Sequence, residues 1–124
     1  MKLSKVPEAL KKALSNKVKQ PVYIGEAPSL ADECIAVRML DGNPNATYFG
    51  MKSSLYQPLY QFYIRTKDYE SGATSAQTIK DLLDGFSKGG LKSLNLVGSI
   101  LYLGRSEQKM HEFQLTFTAI LKEE

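Results

Sequence analysis

"LYQFYIRTKDYESGATSAQTIKDLLDGF", residues 59–86, changes its hydrophobic period part-way along, and that change decides the fold. In its first part Tyr60, Phe62 and Ile64 alternate with Gln61, Tyr63 and Arg65, the two-residue period of a strand with two different faces. Beyond residue 68 the apolar residues Ala73, Ala76, Ile79, Leu82, Leu83 and Phe86 recur at three- and four-residue steps, which predicts an amphipathic helix. Asp68, Glu70 or Ser71 is placed to cap its N-terminus, where an acid also suits the helix dipole. Gly85 interrupts the last turn, and Gly89-Gly90 supplies the expected stop.

The same two periods recur on both sides of this stretch. Upstream, "QPVYIGEAP" reads as a short strand over residues 22–25, at a sheet edge because prolines flank it. "ECIAVRML" sets Ile35, Val37 and Met39 against Cys34, Ala36, Arg38 and Leu40, a second strand that ends at Asp41-Gly42. Downstream, "LKSLNLVGSILYLGR" predicts one or two strands bent near Gly98. "HEFQLTFTAILKE" puts Phe113, Leu115, Phe117, Ala119 and Leu121 on one face and Glu112, Gln114, Thr116, Thr118 and Ile120 on the other, an antiparallel strand with one wettable side. At the N-terminus Leu3, Val6, Leu10, Leu14 and Val18 form the apolar stripe of a first helix, and Pro7 is tolerated in its first turn. The expected fold is α+β: a largely antiparallel sheet of about five to six strands with two main helices packed on one face. The expected organisation is a single domain, residues 1–124, with a basic helix over 3–18, the sheet and second helix over 20–122, and a long loop over about 41–55.

Composition bounds the function. At 124 residues, 43% hydrophobic and 23% charged, the chain has the make-up of one folded domain and not of a disordered tract. No run of 18 apolar residues is present, so no membrane partner is expected, and the lysine-bearing N-terminus lacks the apolar core of a secretory signal. A lone cysteine, Cys34, allows no internal disulfide and fits a reducing cytosol. The glycosylation sequon at Asn45-Ala46-Thr47 carries no weight without secretion. The net charge of +3 is unevenly spread. Residues 1–19 carry six lysines against Glu8, a balance of +5, while the other 105 residues carry ten bases against twelve acids, a balance of −2. The first helix therefore presents lysines either to solvent or to a nucleic acid or acidic partner.

Catalytic groupings are scarce. His111 is the sole histidine and Cys34 lies in an apolar strand with no neighbouring cation in sequence to lower its pKa, so a packing role suits both. "GFSKGGLKS" approaches the phosphate-loop pattern, but Leu91 separates Gly90 from Lys92 and the segment follows a helix, so both spacing and context fail. Asp81 and Asp84 fall on the solvent side of the second helix. No nucleophile, base and orienting group assemble, and no metal or cofactor is expected. Tyr63 beside Arg65 imitates an RNA-binding sheet face without its aromatic-rich signature or glycine clamp, so no specific nucleic acid is expected.

The stretch 59–86, followed by "ILYLGRSEQKMHEFQLTFTAILKEE", resembles the small minor capsid and tail-terminator proteins of long-tailed bacteriophages and prophages, over most of residues 20–122. The resemblance rests on an aromatic-x-Arg strand (Phe62, Tyr63, Ile64, Arg65), a helix ending Leu-x-Gly (Leu83, Asp84, Gly85) and a final hairpin strand with Glu112, Phe113, Gln114, Leu115, Thr116 and Phe117. It implies a non-enzymatic virion protein that assembles with itself into a ring, a hexamer, at the head-proximal end of the tail tube. Its partners would be the tube protein and the head connector. The lysine-rich first helix is outside the resemblance, and three alternatives stay open: another neck (head-closure) component, a small cytosolic ligand- or nucleic-acid-binding α+β domain, or a small enzyme. The resemblance also gives a role to "DGNPNATYFGMKSSLYQP", residues 41–58, whose Asp-Gly and Asn-Pro pairs reverse the chain before an aperiodic run of large apolar residues. Long loops in compact domains tend to be functional. Tyr48, Phe49, Met51, Leu55 and Tyr56 are therefore expected to form an oligomer or partner interface, the alternative being that they cover the protein's own core.

Overall fold

The computed structural model describes residues 5–27, 32–40, 55–56 and 58–122. The strand predicted from alternation is β4 (Leu59–Thr66), and it lies between β2 (Cys34–Leu40) and β8 (His111–Lys122), antiparallel to both. Register lines up three cross-strand rows: Ile35, Ile64 and Phe113; Val37, Phe62 and Leu115; Met39, Tyr60 and Phe117. The first two rows, together with Tyr60 and Phe117, are buried in one cluster. Val6, Leu10 and Leu14 of α1 (Val6–Leu14) and Ala76, Ile79 and Leu83 of α2 (Tyr69–Leu83) complete that cluster. Phe62 and Phe117 meet edge to face at 5.7 Å, a geometry aromatic pairs prefer. Met39 shares the row of Tyr60 but is half exposed, so the apolar face read from "ECIAVRML" is covered only as far as Val37.

The sheet runs β1-β2-β4-β8-β6-β5, with β1 (Val22–Ile24) at one edge as expected and β5 (Phe86–Lys88) at the other. β1 is parallel to β2, and the remaining pairings are antiparallel, so the sheet is mixed and the domain α+β. β3 (Leu55–Tyr56) and β7 (Leu101–Arg105) also pair with β8. Eight strands are thus present among the described residues where five to six were expected. The additions are the two-residue β3, inside the stretch read as a loop, and the three-residue β5, read as the end of a helix. Pieces this short have too few residues to display a period.

Two helix ends differ from expectation for local reasons. α1 stops at Leu14, not at residue 18, because Asn16 takes a left-handed φ of 63° and turns the chain. Val18 then packs on the core from outside the helix. α2 begins where predicted, with the Asp68 carboxylate accepting from the Ser71 N–H at 3.1 Å. It ends at Leu83, and Gly85, at φ +87°, is the stop in place of Gly89-Gly90. The Gly85 N–H donates to the Leu94 carbonyl, and the Asp84 carboxylate accepts from the Leu96 N–H, so Phe86 enters β5 and leaves the helical stripe. Leu82, placed in that stripe, is 38% exposed, and the buried face instead runs through Gly72, Ser75, Ala76, Ile79 and Leu83. At Gly72 the helix lies close on the sheet: a Cβ there would lie 2.4 Å from the Phe113 ring and 2.6 Å from Thr66 Oγ1.

Candidate assembly surface

β8 is twelve residues long and pairs along both of its edges. On the side away from β4 it pairs first with β7 and then with β6 (Leu91–Leu96). Beyond β6 lies β5, whereas among the described residues nothing pairs with the outer edge of β7. β7 is also unusual in content. Leu101, Tyr102 and Leu103 are consecutive large apolar residues, exposed by 50%, 45% and 49%. Tyr102 is in register with Phe113 and Leu101 with Gln114, so the two point to opposite faces of the sheet. A bulge follows, with Gly104 at φ +99°, a value that glycine accepts without strain. Val97, at the end of β6, extends the apolar patch and is 48% exposed.

This apolar edge is held in place. Tyr102 and Tyr69, the first residue of α2, meet in a T-shape at 5.2 Å, and Tyr102 also contacts Phe113 at 5.1 Å. The His111 ring stacks on Tyr102, whose hydroxyl lies 2.8 Å from His111 Nδ1. The β7–β8 turn is closed by Ser106 N–H to the Met110 carbonyl and by Lys109 N–H to the Ser106 carbonyl, with Met110 buried beneath it. The sole histidine is thus part of an aromatic brace, as the packing role anticipated.

The opposite face of the central strands is polar and internally satisfied. Arg38 donates twice to the Gln61 side chain, at 3.0 and 2.7 Å. The Tyr63 hydroxyl donates to the Glu112 carboxylate across β4 and β8. Burial and that carboxylate together push the Tyr63 phenol up to about 12. Arg65 is 1% exposed; its Nε donates to the Asp32 carbonyl at 2.7 Å and its guanidinium lies 6.0 Å from the Tyr63 ring centre. The aromatic-x-Arg pattern therefore ties β4 to the turn before β2. Cys34 is buried, and burial raises its thiol pKa more than the nearby Arg65 lowers it.

Of the five residues expected at an interface, Tyr48, Phe49 and Met51 lie outside the described residues. Leu55 and Tyr56 form β3, in register with Lys122 and Leu121 of β8. Sequence reasoning expected one or two strands around β7 but did not foresee that β7 is half exposed. Its signal was available in "ILYLGR", an apolar run without alternation in a strand that no pattern makes central.

No described helix is long and apolar enough to cross a membrane. No curated protein matches the sequence. Among solved structures, one chain whose name states no activity aligns with TM-score 0.63 and 15% identity over 100% of this chain and 98% of its own. A chain from the virion of a native gene transfer agent particle aligns with TM-score 0.62 and 18% identity, over 97% of this chain and 94% of its own. Identities this low establish a shared fold. The family described as "Bacteriophage tail terminator protein" matches residues 8–123. That span takes in α2, every described strand and all but the first two residues of α1, so the chain belongs to the bacteriophage tail terminator family of structural virion proteins.

Proposed function

We propose that this protein ends growth of the tail tube by forming a hexameric ring at its head-proximal end, and that the ring then joins the tail to the head connector. Each protomer is a single domain with both helices on one face of the sheet, and the β7–β8 hairpin reaches onto the next protomer. The observation that carries this reading is the apolar edge of β7: three half-exposed large residues on a strand whose outer side pairs with nothing among the described residues. Such an edge invites association in a free monomer, and a ring covers it. A head-to-tail contact repeated around a closed axis uses the edge once per junction and leaves none open. The residues Tyr48, Phe49, Met51, Leu55 and Tyr56 add a second contact, to the neighbouring protomer or to the tube. The reading assigns no catalytic group and no specific nucleic-acid site.

Replacing Leu101 and Leu103 together by serine tests it. The variant should keep the melting temperature of the wild-type monomer, because both side chains already face water. Light scattering should show loss of the ring, and purified tubes should continue to elongate in its presence. Normal capping with an intact ring would overturn the role given to β7. The parallel variant Tyr48→Ser with Phe49→Ser asks the same of the other stretch, by melting temperature and capping.

A further inference from the structure

At the β1 edge of the sheet the backbone and the helix leave a second open feature. The Pro21 carbonyl accepts from the Ile35 N–H and the Gly25 N–H donates to the Val37 carbonyl, so residues 21, 23 and 25 bond to β2. By the alternation of a strand, the N–H and C=O groups of Val22 and Ile24 point away from the sheet. Register puts the side chains of Val22 and Ile24 on the core side, beside Ile35 and Val37. Yet Ile24 is 46% exposed where Val37 is fully buried, because α1 ends at Leu14 and the chain turns away at Asn16. The uncovered space is a groove of about 540 Å³ between the end of α1 and β1, floored by Leu14, Val18, Val22 and Ile24, with Lys11 and Lys12 along its helical rim.

The rim is charged without compensation. Among the described residues Glu8 is the one acid lining the groove, and it lies 3.8 Å from Lys5. Among the described residues neither Lys11 nor Lys12 has an acidic partner. A free strand edge, an apolar floor and a basic rim fit one kind of occupant. We propose that the groove binds an extended acidic segment of a partner protein, added to β1 as a further strand. Its backbone would pair with Val22 and Ile24, alternate apolar side chains would cover Val22 and Ile24, and its carboxylates would face Lys11 and Lys12. Main-chain pairing supplies affinity in this mode, and the side chains on alternate positions supply selectivity. Duplex DNA fits less well, since the floor is apolar and a strand edge offers a phosphate backbone nothing to pair with in register.

The test uses the full chain and a blocked, fluorescently labelled eight-residue peptide alternating valine with glutamate. Anisotropy should show saturable binding that weakens as salt is raised, and hydrogen exchange should slow at the Val22 and Ile24 amides. Lys11→Glu combined with Lys12→Glu should weaken binding at least tenfold while leaving the melting temperature unchanged, because both lysines are exposed. A peptide with proline at alternate positions should not bind, since it cannot pair as a strand. The proposal is overturned if the peptide does not saturate the chain, or if the lysine variant binds it equally well. It is overturned in favour of nucleic acid if labelled duplex DNA binds more tightly and competes the peptide away. It is also overturned, in favour of a second copy of this chain, if the lysine variant changes the mass in solution with no peptide present.

Discussion

β4 and β7 both open on Leu-Tyr and both pair antiparallel with β8, yet they end in opposite environments. In β4, Tyr60 is wholly buried; in β7, Leu101 and Tyr102 are about half exposed. The difference is in what surrounds each strand. β4 has β2 on its other side, and the buried faces of α1 and α2 join its core-side residues in one cluster. β7 has β8 on one side and nothing described on the other, and Tyr69 at the start of α2 packs on its Tyr102. The same Leu-Tyr start thus lies in the core in one place and on a half-exposed edge in another. What an apolar strand does is set by its neighbours in the sheet.

The largest effect expected from this contrast is at Phe62. Phe62→Ala removes a fully buried ring that packs on Phe117 and should cost about 3–5 kcal/mol, part of it from the cavity left behind. For a domain of this size each kcal/mol lowers the melting temperature by about 4 °C, so the loss should be about 12–20 °C. Leu103→Ser in β7, by contrast, should stay within about 0.5 kcal/mol of wild type, as surface changes away from special features do. Thermal melts of the two variants at one protein concentration measure the comparison directly. If Leu103→Ser destabilises as Phe62→Ala does, β7 belongs to the protomer's core and the contrast fails.

The sequence displayed the central strands well because each carries enough residues to show a period. Tyr60, Phe62 and Ile64, and Phe113 through Leu121 at alternate positions, are buried as their spacing implied. The Asp68 cap was equally visible, since capping chemistry is local. What stayed hidden depends on contacts distant in the chain. Gly85 stops α2 because its N–H finds Leu94 and the Asp84 carboxylate finds Leu96, residues that sequence alone does not bring near. Gln20 accepts from the Ser75 hydroxyl at 2.5 Å and donates to Ser71 at 3.1 Å, fastening the chain after α1 to α2, and no pattern announces a pair 55 residues apart. Exposure of β7 was hidden for the same reason, because sheet order is not a local property.

Gly72 sharpens the comparison from the helix side, with an intermediate effect. Within a helix, Gly→Ala ordinarily stabilises by about 1 kcal/mol. Here the added methyl would fall 2.4 Å from the Phe113 ring and 2.6 Å from Thr66 Oγ1, and Thr66 Oγ1 is already engaged with the Asp68 carbonyl. The helix or the ring must move, and overpacking of this kind costs about 1–3 kcal/mol. Gly72→Ala should therefore lower the midpoint of a urea melt in spite of the better helix former. An unchanged or higher midpoint would mean that α2 is free to lift from β8, and that the closeness of helix to sheet is not what separates β4 from β7.

A smaller effect than at Phe62 or Gly72 is expected on the polar face of β4, where Tyr63 donates its hydroxyl to Glu112 of β8. At neutral pH Tyr63→Phe removes one hydrogen bond to a charged acceptor on a partly exposed surface, a loss of about 1 kcal/mol. Its pH dependence is more telling. Burial and the Glu112 carboxylate raise the Tyr63 phenol from 10.0 to about 12 in the folded protein. Between those values the unfolded chain has lost the proton and the folded chain still holds it, so unfolding becomes easier as pH rises. The contribution is complete below about pH 10 and gone as pH passes about 12. Other tyrosines titrate in the same range, so the measurement is the difference between wild type and Tyr63→Phe in urea midpoints at pH 9, 10 and 11. The gap between the two should narrow as pH rises, and the variant should overtake the wild type if ionisation of Tyr63 opposes the fold strongly enough. A gap that stays constant through pH 11 would show that the carboxylate and the phenol do not share a proton across these strands, and that the polar face of β4 is held by Arg38, Gln61 and Arg65 without Tyr63.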